Sequence, residues 1–226
     1  MGISFSKRRT AVVTALIAIG IGIFLIILEG VRENADLARL DIPTLHWIVA
    51  HRTPFVTALM QFITNVMAPV TLAIIVFGGA AFWSWRKREI WRPLLLVGSM
   101  GFALLASTAL KGMIGRSRPP LVDMIPPYEL DFSFPSGHTL GIAVCLFIVS
   151  YFILMKQPSK QMFTKWFAIT ISGIAIVAFS RVYLGYHWVT DVSASVGVAL
   201  VILGLAIIVD TVKPQILKLL HLTKAH

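Results

Sequence analysis

Long apolar runs without charge are the feature that most constrains how this chain can fold. The first extends from Thr10 to Leu28, and about 20 such residues suffice to cross a hydrocarbon core about 30 Å thick. Hydrophobic residues make up 57% of the 226 residues and charged residues only 13%, which is more apolar than a soluble globular domain. We therefore predict a single-domain, all-α integral membrane protein, residues 1–226, whose six transmembrane helices lie at about residues 10–28, 55–85, 93–112, 138–155, 163–181 and 189–209.

Two segments near the N-terminus depart from simple spans. The second apolar run is overlong, and Pro69 within it predicts a kink or a tilt. Before it, Asp41 and Pro43 are typical of an N-cap and a first helical turn. We predict that part of the segment 31–52 is a short interfacial helix after the first span, with an ordered loop as the alternative.

The distribution of Lys and Arg predicts the orientation of the spans. Thirteen of the 20 fall on the side of the N-terminus and seven on the other, so the positive-inside rule places both termini in the cytoplasm. The net charge of +10 does not indicate a nucleic-acid partner, because the cations are scattered at segment ends. The single Cys145 leaves neither a disulfide framework nor a thiolate metal site.

Three polar clusters interrupt the apolar chain, and this topology places all of them on the extracytoplasmic side. Together they contain three cations, two histidines, a carboxylate and a glycine at a helix start. The first cluster ends the third span, the second begins the fourth, and the third joins the fifth to the sixth: Lys111 and Arg118; Ser136, Gly137 and His138; Arg181, His187 and Asp191.

The first two clusters are suited to holding an oxyanion. Arginine binds phosphate oxygens through two N–H groups and lysine binds them as a point charge. Gly137 permits a tight turn whose N–H groups face an anion at a helix N-terminus, and Ser136 either caps that helix or donates its hydroxyl. The alternatives are headgroup snorkelling by Lys111 and Arg118 and a simple helix cap at 135–138.

The histidines supply the remaining chemistry. His138 changes charge near neutral pH, as a general acid or base requires. His187 and Asp191 are four residues apart and share a helical face if the helix has begun. The carboxylate would then fix the imidazole tautomer for a nucleophilic role; the alternative is a His–Asp pair that only satisfies its own hydrogen bonds. Arg116 is ambiguous and is compatible with anionic lipid, whereas Asp123, Glu129 and Asp131 are expected to be solvated.

These motifs resemble the three signatures of the type 2 phosphatidic acid phosphatase superfamily. The matching patterns are Lys111-x6-Arg118-Pro119, Pro135-Ser136-Gly137-His138 and Ser180-Arg181-x5-His187-x3-Asp191. Six spans are also typical of the family's integral-membrane branch, and the short loops are similar to those of its bacterial phosphatidylglycerophosphatases.

The resemblance implies a lipid phosphatase that needs no metal and no cofactor. His187 would be the nucleophile, oriented by Asp191, and His138 would protonate the leaving oxygen. The phosphoryl oxygens would be held by Lys111, Arg118, Ser136, Gly137 and Arg181. The expected partners are membrane lipids and a lipid phosphate drawn from the plasma membrane, with no nucleic acid and no obligate protein partner.

Several substrates and reactions stay open at this point. Phosphatidylglycerophosphate is the first choice, and undecaprenyl diphosphate, phosphatidic acid and diacylglycerol diphosphate are alternatives. Transfer of the phosphoryl group to an alcohol instead of water is compatible with the same motifs. A transporter is the alternative from a different class, but its polar sites would be expected near the bilayer midplane. A vanadate-dependent haloperoxidase would be soluble.

Overall fold

The computed structural model describes residues 7–155 and 159–223. The cation distribution predicts that both termini are cytoplasmic, and parts of both lie outside the described residues. All regular structure among these residues is helical. Two 3-10 helices, Asp36–Leu40 and Leu121–Asp123, accompany eight α-helices: α1 (Lys7–Glu33), α2 (Asp41–Ala50), α3 (Pro54–Val66), α4 (Pro69–Lys87), α5 (Trp91–Ile114), α6 (Gly137–Leu154), α7 (Lys160–Tyr183) and α8 (Val189–Thr223).

Six helices are long and apolar enough to cross a membrane. They are α1, α4, α5, α6, α7 and residues Val189–Lys213 of α8. Large apolar side chains are exposed on these helices. Trp85 is 70% exposed and Leu105 is 69% exposed, and a bilayer would cover both. The predicted fold class, an all-α multi-pass membrane protein, is therefore confirmed.

The prediction of one kinked or tilted helix over residues 55–85 is wrong. α3 ends at Val66 and a separate α4 begins at Pro69. Proline disfavours helical backbone in the residue before it, and Ala68 is extended (φ −60°, ψ 146°). With 13 residues, α3 is only about 20 Å long, so α4 alone is the second span. Thr53 caps α3 by accepting a hydrogen bond from the Val56 N–H.

A short helix does form after the first span, but Asp41 does not cap it. α2 covers Asp41–Ala50, and its N-cap is Leu40, without a side-chain hydrogen bond. The carboxylate of Asp41 is instead buried against α8, where it accepts the Thr190 N–H at 3.0 Å. Leu45 and Ile48 of α2 are also buried in the protein. That α2 lies at the membrane interface stays a prediction.

Helix packing brings the ends of the spans close together. α6 contacts α4, α5, α7 and α8, and its Leu140, Val144 and Ile148 are buried in the core. α1 and α8 approach so closely at Gly20 and Gly197 that a Cβ on either glycine would lie within 3 Å of the other's carbonyl oxygen, at 2.5 and 2.8 Å. Such contacts between small residues permit tight helix packing in a bilayer.

One end of the bundle carries all three polar clusters. α5 and α7 end there, α6 and α8 begin there, and the loop 115–136 joins α5 to α6. Gly115 starts this loop in the left-handed region (φ 66°) and donates its N–H to the Lys111 carbonyl. The loop is anchored to α8 by Trp188, whose indole N–H donates to the Ser117 carbonyl at 2.9 Å.

Candidate active site

The three cations named from the sequence lie around one small region. Arg118 approaches the ring of His187, with 3.2 Å between its Nη1 and the histidine Nε2. Arg118 and Arg181 both form ion pairs with Glu129, and Arg118 and Lys111 both form ion pairs with Asp131. The tertiary structure therefore brings together side chains from α5, the loop 115–136, α7 and the turn before α8.

The contact between His187 and Asp191 forms through a helix cap. His187 precedes α8, which begins at Val189, so the two residues do not share a helical face as the spacing suggested. Asp191 is the third residue of the helix, and its Oδ2 accepts the Trp188 N–H at 2.9 Å. This is one half of a capping box. The same oxygen lies 3.2 Å from His187 Nδ1.

The hydrogen bonds of His187 fix its tautomer. A guanidinium can only donate hydrogen bonds, so Nε2 must accept from Arg118. The ring proton then resides on Nδ1, which donates to Asp191. His187 thus turns the lone pair of Nε2 toward the cations.

Burial keeps the His187 ring neutral. The side chain is 1% exposed, and desolvation, followed by the positive charges of Arg181 and Arg118, holds the pKa of His187 well below its usual value near 6.5. A neutral imidazole is the form that can act as a nucleophile.

Arg181 is the most deeply buried of the cations. It is 1% exposed, donates to Thr64 of α3 at 2.7 Å, and lies over the Tyr186 ring at 4.4 Å. Its Nε has no hydrogen-bond partner among the described residues. A buried guanidinium N–H is rarely left unpaired, and a phosphoryl oxygen would satisfy it.

The start of α6 contributes Ser136, Gly137 and His138. Ser136 is fully buried and its Oγ accepts from both the N–H and the hydroxyl of Thr139, at 3.4 and 3.1 Å. Its own hydroxyl proton stays available for donation. His138 makes no hydrogen bond to any described residue, and it lies within electrostatic range of Arg181, His187, Arg118 and Lys111.

Two acidic residues that we expected to be solvated bind the cations instead. Glu129 is only 27% exposed and pairs with Arg118 at 2.7 Å as well as with Arg181. Asp131 is 61% exposed but pairs with Lys111 and Arg118. Burial alone would raise the pKa of Asp131, yet Lys111 and Arg118 outweigh it and lower the pKa to about 2. The two carboxylates therefore occupy N–H groups of all three cations that the sequence predicts to bind phosphate.

Arg116, which the sequence left compatible with anionic lipid, points into the protein. Its guanidinium pairs with Asp191 and, at 2.6 Å, with Asp41. The sequence offered no signal for this contact, because Asp41 lies 75 residues away, in α2. Glu129 and Asp131 had a usable signal, since they lie in the loop that joins the first two clusters.

The fold and these contacts define a class, a multi-pass membrane phosphatase with a histidine, an aspartate and a set of buried cations. Comparison with known proteins agrees. Residues 92–213 match the model of the PAP2 superfamily, and the chain belongs to this superfamily, as its motifs predicted.

Relatives and a solved structure extend this result. The chain is 34% identical to phosphatidylglycerophosphatase B of Bacillus subtilis over 171 residues, which cover 75% of this chain and 82% of the relative. It is 29% identical over 158 residues to the undecaprenyl-diphosphatase BcrC of the same organism, covering 68% and 75%. The crystal structure of a transmembrane PAP2-type phosphatidylglycerolphosphate phosphatase from Bacillus subtilis superimposes with a TM-score of 0.68 at 29% identity, over 83% of this chain and 94% of that one. The prediction of a lipid phosphatase is confirmed.

Proposed function

We propose that this protein removes phosphate from a membrane lipid through a phosphohistidine on His187. The observation that carries the proposal is the orientation of this ring, with Nδ1 on Asp191 and Nε2 on Arg118 beside the cations. The lone pair of Nε2 attacks phosphorus as the bond to the lipid oxygen breaks. Asp191 stabilises the positive charge that develops on the imidazole.

His138 supplies and recovers the proton in this scheme. Its protonated ring donates to the departing lipid oxygen, and its neutral ring then takes a proton from the water that attacks the phosphohistidine. Lys111, Arg118 and Arg181 hold the phosphoryl oxygens, together with the Ser136 hydroxyl and the Gly137 N–H. Preorganised donors of this kind stabilise the charge of the transition state. Glu129 and Asp131 release the cations when phosphate arrives.

An apolar groove supports a lipid as the substrate. A cavity of about 220 Å³ starts at Gly137 and continues between α4 and α5 past Leu72, Ala103 and Leu104. Its lining is almost entirely apolar, so it is suited to an acyl or prenyl chain whose phosphate rests at the start of α6. A lipid tail in this groove would need no exposure to water.

We infer phosphatidylglycerophosphate as the first substrate to test, on the likeness to phosphatidylglycerophosphatase B. Undecaprenyl diphosphate is the second, on the likeness to BcrC. Purified protein is assayed for released phosphate with both lipids, phosphatidic acid and diacylglycerol diphosphate. We expect the highest kcat/KM with phosphatidylglycerophosphate and none with His187→Ala. Acid-labile radiolabel on the wild-type protein would report the phosphohistidine, and turnover by His187→Ala would refute it.

We also propose that the site faces the outside of the plasma membrane. The support is the excess of Lys and Arg, 13 against 7, on the opposite side. In intact cells, an impermeant maleimide should label Val122→Cys, an exposed position in the loop 115–136. The reagent should not label Lys87→Cys, at the C-terminal end of α4, until the cells are opened, because the charge count places this end in the cytoplasm. The reverse pattern would place the site in the cytoplasm.

A further inference from the structure

Asp191 uses its two carboxylate oxygens for different purposes. Oδ2 accepts from His187 and from the Trp188 N–H, whereas Oδ1 pairs with Arg116. The carboxylate is fully buried, so no water competes for either oxygen. A planar carboxylate that is held at both oxygens cannot rotate away from the imidazole.

Arg116 is itself held by a second carboxylate. Its Nη2 donates to Asp41 at 2.6 Å and its Nη1 donates to the Thr190 hydroxyl at 2.7 Å. The indole of Trp188 lies under the guanidinium at 5.6 Å. The side chain is therefore fixed between α2 and the first turn of α8, with 15% of its surface exposed.

Asp41 also fixes the first turn of α8 directly. It is 3% exposed and accepts both the N–H and the hydroxyl of Thr190. The Thr190 N–H is one of the donors that a helix start leaves without an intrahelical partner, so Asp41 caps α8 from a different helix. Thr190 directly precedes Asp191 in the chain. A movement of Asp41 would therefore displace Thr190 and, with it, the contact between Asp191 and His187.

The charges add a second effect. Arg116 alone beside Asp191 would neutralise the carboxylate that must stabilise a positive imidazole. Because the guanidinium divides its hydrogen bonds between Asp41 and Asp191, the three groups together keep one negative charge. Asp191 thus stays oriented by a cation without losing its electrostatic effect on His187.

We propose that Arg116 and Asp41 are positioning residues that act on His187 through Asp191. The inference rests on the proposed function, in which His187 is the nucleophile. Neither residue needs to touch the substrate. Their loss should therefore slow the chemical step and leave phosphate binding by Lys111, Arg118 and Arg181 nearly unchanged.

The test measures kcat, KM and the inhibition constant of inorganic phosphate in Arg116→Gln and Asp41→Asn. In metal sites, loss of a residue that orients a ligating histidine typically reduces activity about 10–100-fold, and we expect a loss of the same order in kcat for Arg116→Gln. KM and the phosphate constant should stay within about threefold. Arg116→Lys keeps the charge but not the forked geometry, so its kcat should be intermediate. Arg39→Gln, at an exposed cation just before α2, is the matched control and should behave as wild type.

A double-mutant cycle separates this role from general loss of structure. Because both residues act through Asp191, the loss of kcat in Arg116→Gln with Asp41→Asn should be smaller than the product of the two single losses, although Asp41 also contacts Thr190 directly, whereas independent structural damage would multiply. Wild-type kcat in Arg116→Gln, a loss confined to KM and phosphate affinity, or a multiplicative double variant would each overturn the proposal. If Arg116→Gln does not fold, the cycle is run with Arg116→Lys and read the same way. Absence of phosphate release by the wild type would instead refute the proposed function.

Discussion

Neutralising Glu129 should tighten the binding of phosphate, because this carboxylate pairs with two of the cations that we propose bind phosphate. It pairs with both Arg118 and Arg181 and is 27% exposed. In Glu129→Gln, an amide replaces the carboxylate without changing its size. An incoming phosphate would then displace a neutral amide from the two arginines instead of an anionic carboxylate.

The expected magnitude follows from these contacts. A hydrogen bond to a charged group contributes about 1.5–3 kcal/mol and a neutral one about 1 kcal/mol. Partial exposure reduces the difference over the two contacts to about 1–2 kcal/mol, which corresponds to about 5–30-fold tighter binding. Asp131→Asn should have a smaller effect, about 2–5-fold, because its carboxylate is 61% exposed.

The assay is the inhibition constant of inorganic phosphate against lipid hydrolysis at fixed pH and ionic strength. Glu33→Gln is the matched control, because it removes the same charge from an exposed residue at the end of α1 and should change nothing. An inhibition constant that is unchanged or higher in Glu129→Gln would show that the carboxylate organises the cations instead of competing for them.

Four further results are expected. The His187 ring is neutral above its lowered pKa. As the pH falls, kcat/KM, corrected for the second ionisation of the substrate near pH 6, should therefore stay constant through the usual histidine pKa near 6.5 and decrease only at lower pH. A tenfold loss of kcat/KM per pH unit below 6.5 would contradict this. His138→Ala should slow a phosphomonoester more than a diphosphate, whose leaving group needs less protonation; equal losses would argue against the acid role. Gly197→Val should lower the free energy of unfolding by about 1–3 kcal/mol, measured as a lower Tm, whereas Gly22→Val, with open space around its Cβ, should not. A chelator should leave the rate unchanged, and a strict Mg²⁺ requirement would contradict the proposed set of contacts.

The sequence predicted those parts of the protein that depend on local composition. Apolar length predicted six spans, because a bilayer imposes a minimum length on each helix, and five of the predicted ranges each coincide with a single long helix. The exception was α4. Pro69, where α4 starts, was predicted to kink or tilt one long helix, since proline is compatible with both a kink and the start of a new helix.

The candidate site divides in the same way. The candidates Lys111, Arg118, Arg181 and the residues at the starts of α6 and α8 were chosen from the sequence because cations, histidines and carboxylates are conspicuous in an apolar chain. Which charge pairs with which could not be derived, since an ion pair depends on distances in space. Glu129 was therefore expected in solvent, although it lies between two arginines.

By itself, the sequence determined that the chain spans a membrane and which ionisable groups gather at one end of it, because both follow from free energies of transfer summed along the chain. Only the tertiary structure decided how those groups are paired. It placed Asp41 against Arg116 and α8, and it turned Nε2 of His187 toward the cations. The physical reason is that a buried charge must find a partner within a few ångströms, and packing alone determines which residue is there.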